Sequence, residues 1–341
     1  YNQWCSVMRW EKSTRPFLRT SEFLWQEGHT IHATAEEAKQ ETMQMLDVYR
    51  EVAEDVLALP VYCGRKSEKE KFAGAQATYS MEAMMHDGKA LQAGTSHFFG
   101  TNFSEAYGIQ FLSKEGKLEY AQETSWGVST RLIGAIIMTH GDERGLRLPP
   151  QVAPIQVVVL PIAAHKPGVL EGAKAIADRL SAIGVRVKFD DRDTVSPGWK
   201  FNEWEMKGVP VRLEVGPRDL ENGQVMVARR DTFEKFSLPM EGLEGAITDL
   251  LANIQKTLFE QARDFRNEHT VEVHNYDELK AAVEGGFAKG MWCGDAACEE
   301  KLKADINATT RNMPFDQTPC GDTCCICGKH AAKLMYFAKA Y

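Results

Sequence analysis

Six of the chain's eight cysteines, Cys293, Cys298, Cys320, Cys324, Cys325 and Cys327, crowd one short stretch near its end. That crowding constrains the fold more than any other feature. Thiols so close in sequence must be cross-linked, bound to a metal, or kept free. No secretory signal pattern accompanies them, which favours metal over disulfides. Cys293-x4-Cys298 and Cys325-x-Cys327 can supply four thiolates to a tetrahedral Zn²⁺. Cys320 and Cys324 compete for the same role, and a set of free or redox-active thiols fits the spacing too.

The remaining sequence is that of an ordinary folded chain. Its 341 residues predict two or three domains. A composition of 43% hydrophobic and 26% charged residues excludes a disordered or fibrous protein. No apolar run reaches the ~18 residues of a membrane helix; the longest, Val157 to Ala164, has the length of a strand. A net charge of −8 argues against a dedicated nucleic-acid protein, but leaves room for a local basic surface. The chain opens on Tyr1 without a Met, inside what reads as dense structure, so an upstream part is expected.

Segments 5–11 and 17–26 read as two strands of a hairpin around a polar loop. From Glu36 to Leu59 apolar residues recur every three or four positions, predicting an amphipathic helix of about six turns that ends near Pro60. Leu91 to Gly100 is rich in Gly, Ser and His, and Arg131 to Met138 reads as a helix beneath a sheet. Pro149, Pro150 and Pro154 mark a boundary. Beyond it, strands at 155–162, 185–189, 211–215 and 225–228 alternate with helices at 173–183 and 247–265, the pattern of an α/β domain. A third segment opens near residue 266 with a helix at 277–284, and the cysteines follow.

Three arginines carry the clearest chemistry. Arg9 and Glu11 share one face of the expected hairpin, and Arg19 returns across its loop. A guanidinium there can grip a phosphate or carboxylate bidentately; a surface ion-pair ladder fits the same spacing. Arg131 opens an apolar helix, where the macrodipole disfavours a cation, so it calls for an anionic partner or a structural ion pair.

These pieces resemble a known family. Arg9-x-Glu11, then Phe17-Leu18-Arg19-Thr20-x-Glu22-Phe23-Leu24-Trp25-Gln26-Glu27-Gly28-His29, is similar to motif 2 of the class II aminoacyl-tRNA synthetases, specifically the prolyl-tRNA synthetases. Trp126-Gly127-Val128-Ser129-Thr130-Arg131 resembles their motif 3. Residues 64–75 and 92–97 resemble the loops around the prolyl pocket, and residues 196–205 and 207–219 resemble the anticodon-binding domain. The likeness spans nearly the whole chain and indicates the eukaryotic/archaeal-like form. Motif 1 and the loop that binds the imino group of proline are expected upstream of Tyr1.

The resemblance implies ATP-dependent ligation of L-proline to tRNA(Pro) through a prolyl-adenylate. It implies that Arg9 bridges the proline carboxylate and the α-phosphate, with Arg9 and Arg131 as the catalytic cations. Glu11 and Thr20 would hold adenine, Arg19 and Arg131 the outer phosphates. Gln92 would touch the ribose and a Mg²⁺, with Thr95 and Ser129 nearby. Trp25 and Phe72 would wall the proline pocket and His97 would close it, although a histidine of this kind also serves as a satisfied core residue. The family's tail selects Cys293, Cys298, Cys325 and Cys327 as structural zinc ligands. It also implies that the C-terminal Tyr341 turns toward the active site.

For the anticodon, residues 186–235 carry 10 basic and 10 acidic side chains, a neutral stretch in an acidic chain. Lys200, Glu203 and Arg218 are candidates for guanine edges, with plain surface charge as the alternative. The expected architecture is an α+β and α/β multidomain chain: a class II antiparallel catalytic domain at 1–152, an α/β anticodon-binding domain at 153–266, and a small zinc-binding domain at 267–341. A homodimer in the cytoplasm without membrane attachment is expected. The alternative function is a non-catalytic tRNA-binding or regulatory paralogue, which has no need for a complete set of Arg9, Glu11, Arg19 and Arg131.

Overall fold

Residues Asn2–Met8 (β1) and Glu22–His32 (β2) pair as an antiparallel hairpin in the computed structural model, which describes all 341 residues. The second strand starts later than its sequence suggests. Arg15 and Arg19 bridge each other, Pro16 has no N–H to give, and Phe17 sits at φ 58°, so residues 15–19 close into a tight turn.

The helix Ala35–Glu51 (α1) begins where local chemistry dictates. Thr34 caps it and Glu37 returns the bond, giving the reciprocal pair that satisfies two free N–H groups. Its buried face is Ala38, Thr42, Leu46 and Tyr49. The predicted apolar run continues as a π-helical turn, Val52–Val56, before Pro60. Val48, Val52 and Val56 stay exposed, so only part of the apolar pattern describes the buried stripe.

A seven-stranded antiparallel sheet lies under α1. From β1 and β2 it continues through Gln122–Ser129, Ala90–Gly100, Ala77–Met84, Val61–Arg65 and Met313–Pro314. The Gly- and Ser-rich stretch is thus a central strand. Its small residues have a reason: a Cβ on Gly94 would lie 2.8 Å from Met81 and 3.5 Å from the Tyr49 ring of α1.

The chain divides into two compact units. Tyr1–Asp55, Leu59–Thr139 and Arg263–Tyr341 form the first; Val56–Ala58 and His140–Ala262 form the second. Residues 263–341 group with residues 1–55 and 59–139 in one compact unit, and the segment starts close to the boundary expected at 266. The physical reason is a buried charge cluster. Glu82 accepts from Lys66 at 2.8 Å and from Arg311 at 3.0 and 2.7 Å, all three nearly solvent-free. Burial alone would push the Glu82 carboxyl up, but Arg311 and Lys66 outweigh it and hold it at about 2. Asn312 donates to the Tyr62 and Ser80 carbonyls, and Met313 pairs with Arg65. The last segment contributes a four-stranded sheet of Thr270–Val273, Phe287–Trp292, Lys333–Ala338 and Thr309–Thr310.

The second unit is α/β as its alternating pattern predicts. Its five-stranded sheet runs Val187–Phe189, Val157–Pro161, Val211–Val215, Gln224–Arg229, Lys235–Pro239. The first three strands are parallel to each other and the last two join antiparallel. Valines 157, 159, 211, 225 and 227 pack with Ile176, Leu180, Ile247, Leu250 and Ile254 from two helices to form its core.

Candidate active site and cysteine cluster

Arg9, Glu11, Arg19, Thr20, Trp25, Phe72, Gln92, Thr95, His97, Ser129 and Arg131 all line one cavity of about 1250 Å³ in the first unit. Motif order explains the convergence. β2 pairs with Gln122–Ser129, so Trp25 faces Ser129, and Thr95 sits beside Gly127 on the next strand. Arg9 lies just past β1, held by its N–H to the Ser21 carbonyl at 2.8 Å.

The charges in this cavity are poorly neutralised. The Arg9 guanidinium lies 5.3 and 5.5 Å from the Phe23 and Trp25 rings and has no carboxylate partner. Arg131 donates Nε to the Leu18 carbonyl at 3.0 Å and Nη1 to the Gln92 carbonyl at 3.4 Å, again with no carboxylate. Burial, and then the charges of Arg19 and Arg9, push its pKa down, the mark of crowded cations. Arg19 reaches Glu11 only at 3.9 Å and donates to a main-chain carboxylate oxygen of Tyr341, the last residue, at 2.8 Å. Arg15 and Lys89 lie over the Tyr341 ring, and its hydroxyl pairs with Asp87. Tyr341 thus turns toward this cavity and reaches Arg19.

The other end of the cavity is aromatic. His97 packs 5.1 Å from Phe72 and parallel to Phe99, with Nδ1 2.9 Å from the Thr78 hydroxyl. Burial, helped by His29, pushes its pKa down to about 4, so the ring is neutral at pH 7. Trp25 is fixed by its Nε1–H bond to Cys5 Sγ at 3.0 Å.

Far from this cavity in sequence, Cys293, Cys298, Cys324 and Cys327 bring their sulfurs within 4.8 Å of one another. The Cys293 sulfur is 3.6 Å from Cys298 and 3.8 Å from Cys327. A tetrahedral Zn²⁺ with bonds of ~2.3 Å separates its sulfurs by ~3.8 Å, so these thiols fit that ion. The expected ligand Cys325 is corrected to Cys324. The turn Cys324–Gly328 closes through the Gly328 N–H to the Cys324 carbonyl at 2.8 Å. It aims Cys324 and Cys327 at the cluster, while Cys325 donates its N–H to the Met291 carbonyl and buries its sulfur against Gly290.

Comparison with known proteins agrees with this geometry. Residues 1–140 match the model of the tRNA synthetase class II core domain (G, H, P, S and T), residues 156–250 the anticodon binding domain, and residues 276–341 the prolyl-tRNA synthetase C-terminal domain. The chain is 60% identical to a proline–tRNA ligase of Alkaliphilus oremlandii, and equally to proline–tRNA ligase 2 of Clostridioides difficile. Each alignment covers 100% of this chain and 71% of the relative. The chain belongs to the prolyl-tRNA synthetase family. A Cryptosporidium parvum prolyl-tRNA synthetase solved with L-proline and AMP superposes with a TM-score of 0.94 at 44% identity, covering 100% of this chain and 74% of that one. The resemblance indicates the eukaryotic/archaeal-like form, and the two relatives named above are bacterial.

Within the synthetase's anticodon-binding region the candidates fare differently. Lys200 is only 5% exposed, and its ammonium donates to the Asp190 carbonyl at 3.0 Å, so it is corrected to a structural residue. Asp190 lies ten residues away on another segment, and spacing alone does not reveal that partner. Glu203 is shared by Arg192 at 2.6 Å and Lys207 at 2.7 Å. Arg218 is exposed.

Among the cavity residues that sequence reading missed are Glu27, His29, Glu123 and Trp126. Glu27 and His29 carried a usable signal. They follow Phe23 and Trp25 at period two on β2, so all four share the cavity face.

Proposed function

We propose that the cavity carries out both steps of proline–tRNA ligation, with the residue roles that follow. In the first step a carboxylate oxygen of L-proline attacks the α-phosphorus of ATP, and the bond to pyrophosphate breaks. In the second, a terminal ribose hydroxyl of tRNA(Pro) attacks the prolyl carbonyl and AMP leaves. The observation that carries this reading is the convergence of Arg9, Arg19 and Arg131 on one cavity, two of them without any carboxylate. Cations left unneutralised in a partly buried space stabilise the charge that develops on a transferring phosphoryl group.

Arg9, already steered by Phe23 and Trp25, would bridge the carboxylate and the α-phosphate. Arg131 and Arg19 would clamp the outer phosphates. Glu11 and Thr20 would accept and donate at the adenine edge, with Thr95 and Ser129 along the ribose side. Phe72, Trp25 and neutral His97 would enclose the apolar proline ring. No general base is needed for attack, because an α-carboxyl is ionised at neutral pH. A Mg²⁺, when bound, would supply positive charge that neutralises the phosphates. Gln92 offers it one weak amide oxygen, so phosphates and water must supply the rest.

The four thiolates of Cys293, Cys298, Cys324 and Cys327 would hold a Zn²⁺ with no open position, a structural ion. Arg218 remains a proposed anticodon contact; Glu203 is spent on Arg192 and Lys207. A homodimer is proposed on the exposed edge of β1, where Trp4, Met8 and Trp10 are each more than three-quarters exposed. A cytoplasmic location is proposed on eight cysteines that form no disulfide, four of them at the metal cluster, the usage of a reducing compartment. No helix is long and apolar enough to cross a membrane.

The test is charging of a tRNA(Pro) transcript with labelled proline. Accumulation of prolyl-tRNA that depends on ATP and is lost in Arg9→Ala supports the reading. Equal charging by Arg9→Ala and wild type contradicts it.

A further inference from the structure

We propose that Trp199 is a stacking platform for an unpaired nucleobase of the bound tRNA. The proposal rests on the reading of the second unit as anticodon-binding, and it names the residue that would read by shape where the charges around it are already spent.

Trp199 lies in the first turn of the helix Pro197–Met206, capped by Ser196, whose hydroxyl accepts its N–H at 3.3 Å. Two tryptophans share this helix and differ sharply. Trp204 is 6% exposed and donates its indole N–H to Asp190 at 2.9 Å. Trp199 is 49% exposed, although burying an indole is among the most favourable uses of apolar surface. The space beside it is open: a Cβ added to Gly198 would meet nothing within 4 Å.

The exposed ring is held in place. The Arg192 guanidinium lies 5.4 Å from its centroid. Arg192 in turn is gripped by Asp190 at 2.8 and 2.7 Å and by Glu203 at 2.6 Å. Two carboxylates therefore fix the guanidinium, and the guanidinium backs the indole. This arrangement also separates a base from a phosphate as the ligand. Arg192 is already neutralised, so it gives a backbone phosphate little attraction, whereas a stiff aromatic plane offers a base a π-face at low entropy cost. Phe201, two residues on, is half-buried against the core of Val158, Leu160, Trp204 and Val209.

Two measurements test this. Binding of a tRNA(Pro) transcript to Trp199→Ala and Trp199→Phe, followed by filter retention across a salt series, needs no catalysis. It stays informative even if the activity reading fails. Loss of one stacked base predicts affinity falling about tenfold to a hundredfold in Trp199→Ala, partial recovery in Trp199→Phe, and an unchanged salt slope. In parallel, kcat/KM for tRNA in aminoacylation is expected to fall at least tenfold more than proline-dependent ATP–pyrophosphate exchange. Wild-type affinity in Trp199→Ala, a reduced salt slope, or equal loss in both reactions would each overturn the platform. Wild-type protein that binds tRNA but shows no exchange would sink the activity reading alone.

Discussion

Charge is used in opposite ways in two parts of the chain. In the anticodon-binding unit buried or clustered cations are matched: Arg192 to Asp190 and Glu203, Arg229 to Asp231, Arg230 to Asp142 at 2.7 and 2.6 Å. The buried Glu82 of the other unit is matched likewise by Lys66 and Arg311. In the cavity and the cysteine cluster, by contrast, like groups converge: Arg9 and Arg131 meet without a carboxylate on either, and four thiols meet at one point. Matched charges hold a fold together; converging like charges stay only where a ligand of opposite sign completes them. The difference separates structural from functional residues better than charge counts do, since residues 186–235 are as rich in charge as any site.

The sharpest test of that distinction lies in the thiols. Wild type is expected to carry about one zinc per chain by elemental analysis. Cys324→Ser should lose it, with the large destabilisation that follows loss of a structural metal. Cys325→Ser should keep it, and loss of zinc in Cys325→Ser alone would restore the ligand set expected from sequence. Next, Arg131→Ala should lower the exchange rate about 10²- to 10³-fold, the cost of removing one charge-stabilising donor, while the fold persists by circular dichroism.

The matched side predicts the reverse. Arg230→Ala removes a side chain only 3% exposed and leaves Asp142, 26% exposed, with Arg147 at 4.0 Å as its remaining cation. It should cost roughly 1–3 kcal/mol of unfolding free energy in urea while the folded fraction keeps wild-type exchange. A normal urea midpoint with impaired exchange would break the comparison.

The smallest effect concerns His97. With its pKa pushed down to about 4, the ring should show no NMR titration between pH 6 and 8. A depressed histidine pKa means that the unfolded chain takes up the proton first. Its contribution to stability is therefore full above about 6.5 and is lost as pH falls toward 4. A ring titrating near 6.5 would show that the pocket is wet.

The motifs made the cavity legible in sequence. Arg9, Glu11, Arg19 and Arg131 stand in an order that few folds share, and strand alternation would have added Glu27 and His29. What stayed hidden depends on contacts between distant segments. Cys324 and Cys325 are neighbours, and only the turn at 324–328 decides which sulfur faces the cluster. Lys200 reads as a surface cation until Asp190 is brought beneath it. The junction of residues 263–341 with residues 59–139 rests on Glu82 meeting Arg311, 229 positions apart. No periodicity announces such a pair.

Proline-dependent ATP–pyrophosphate exchange tests the central claim most directly, because it needs neither tRNA nor the anticodon-binding unit's contacts. The account predicts exchange that requires proline, is far weaker with alanine, and collapses when Arg9 or Arg131 is replaced by alanine. Absence of exchange with proline, or equal exchange with alanine, would contradict it.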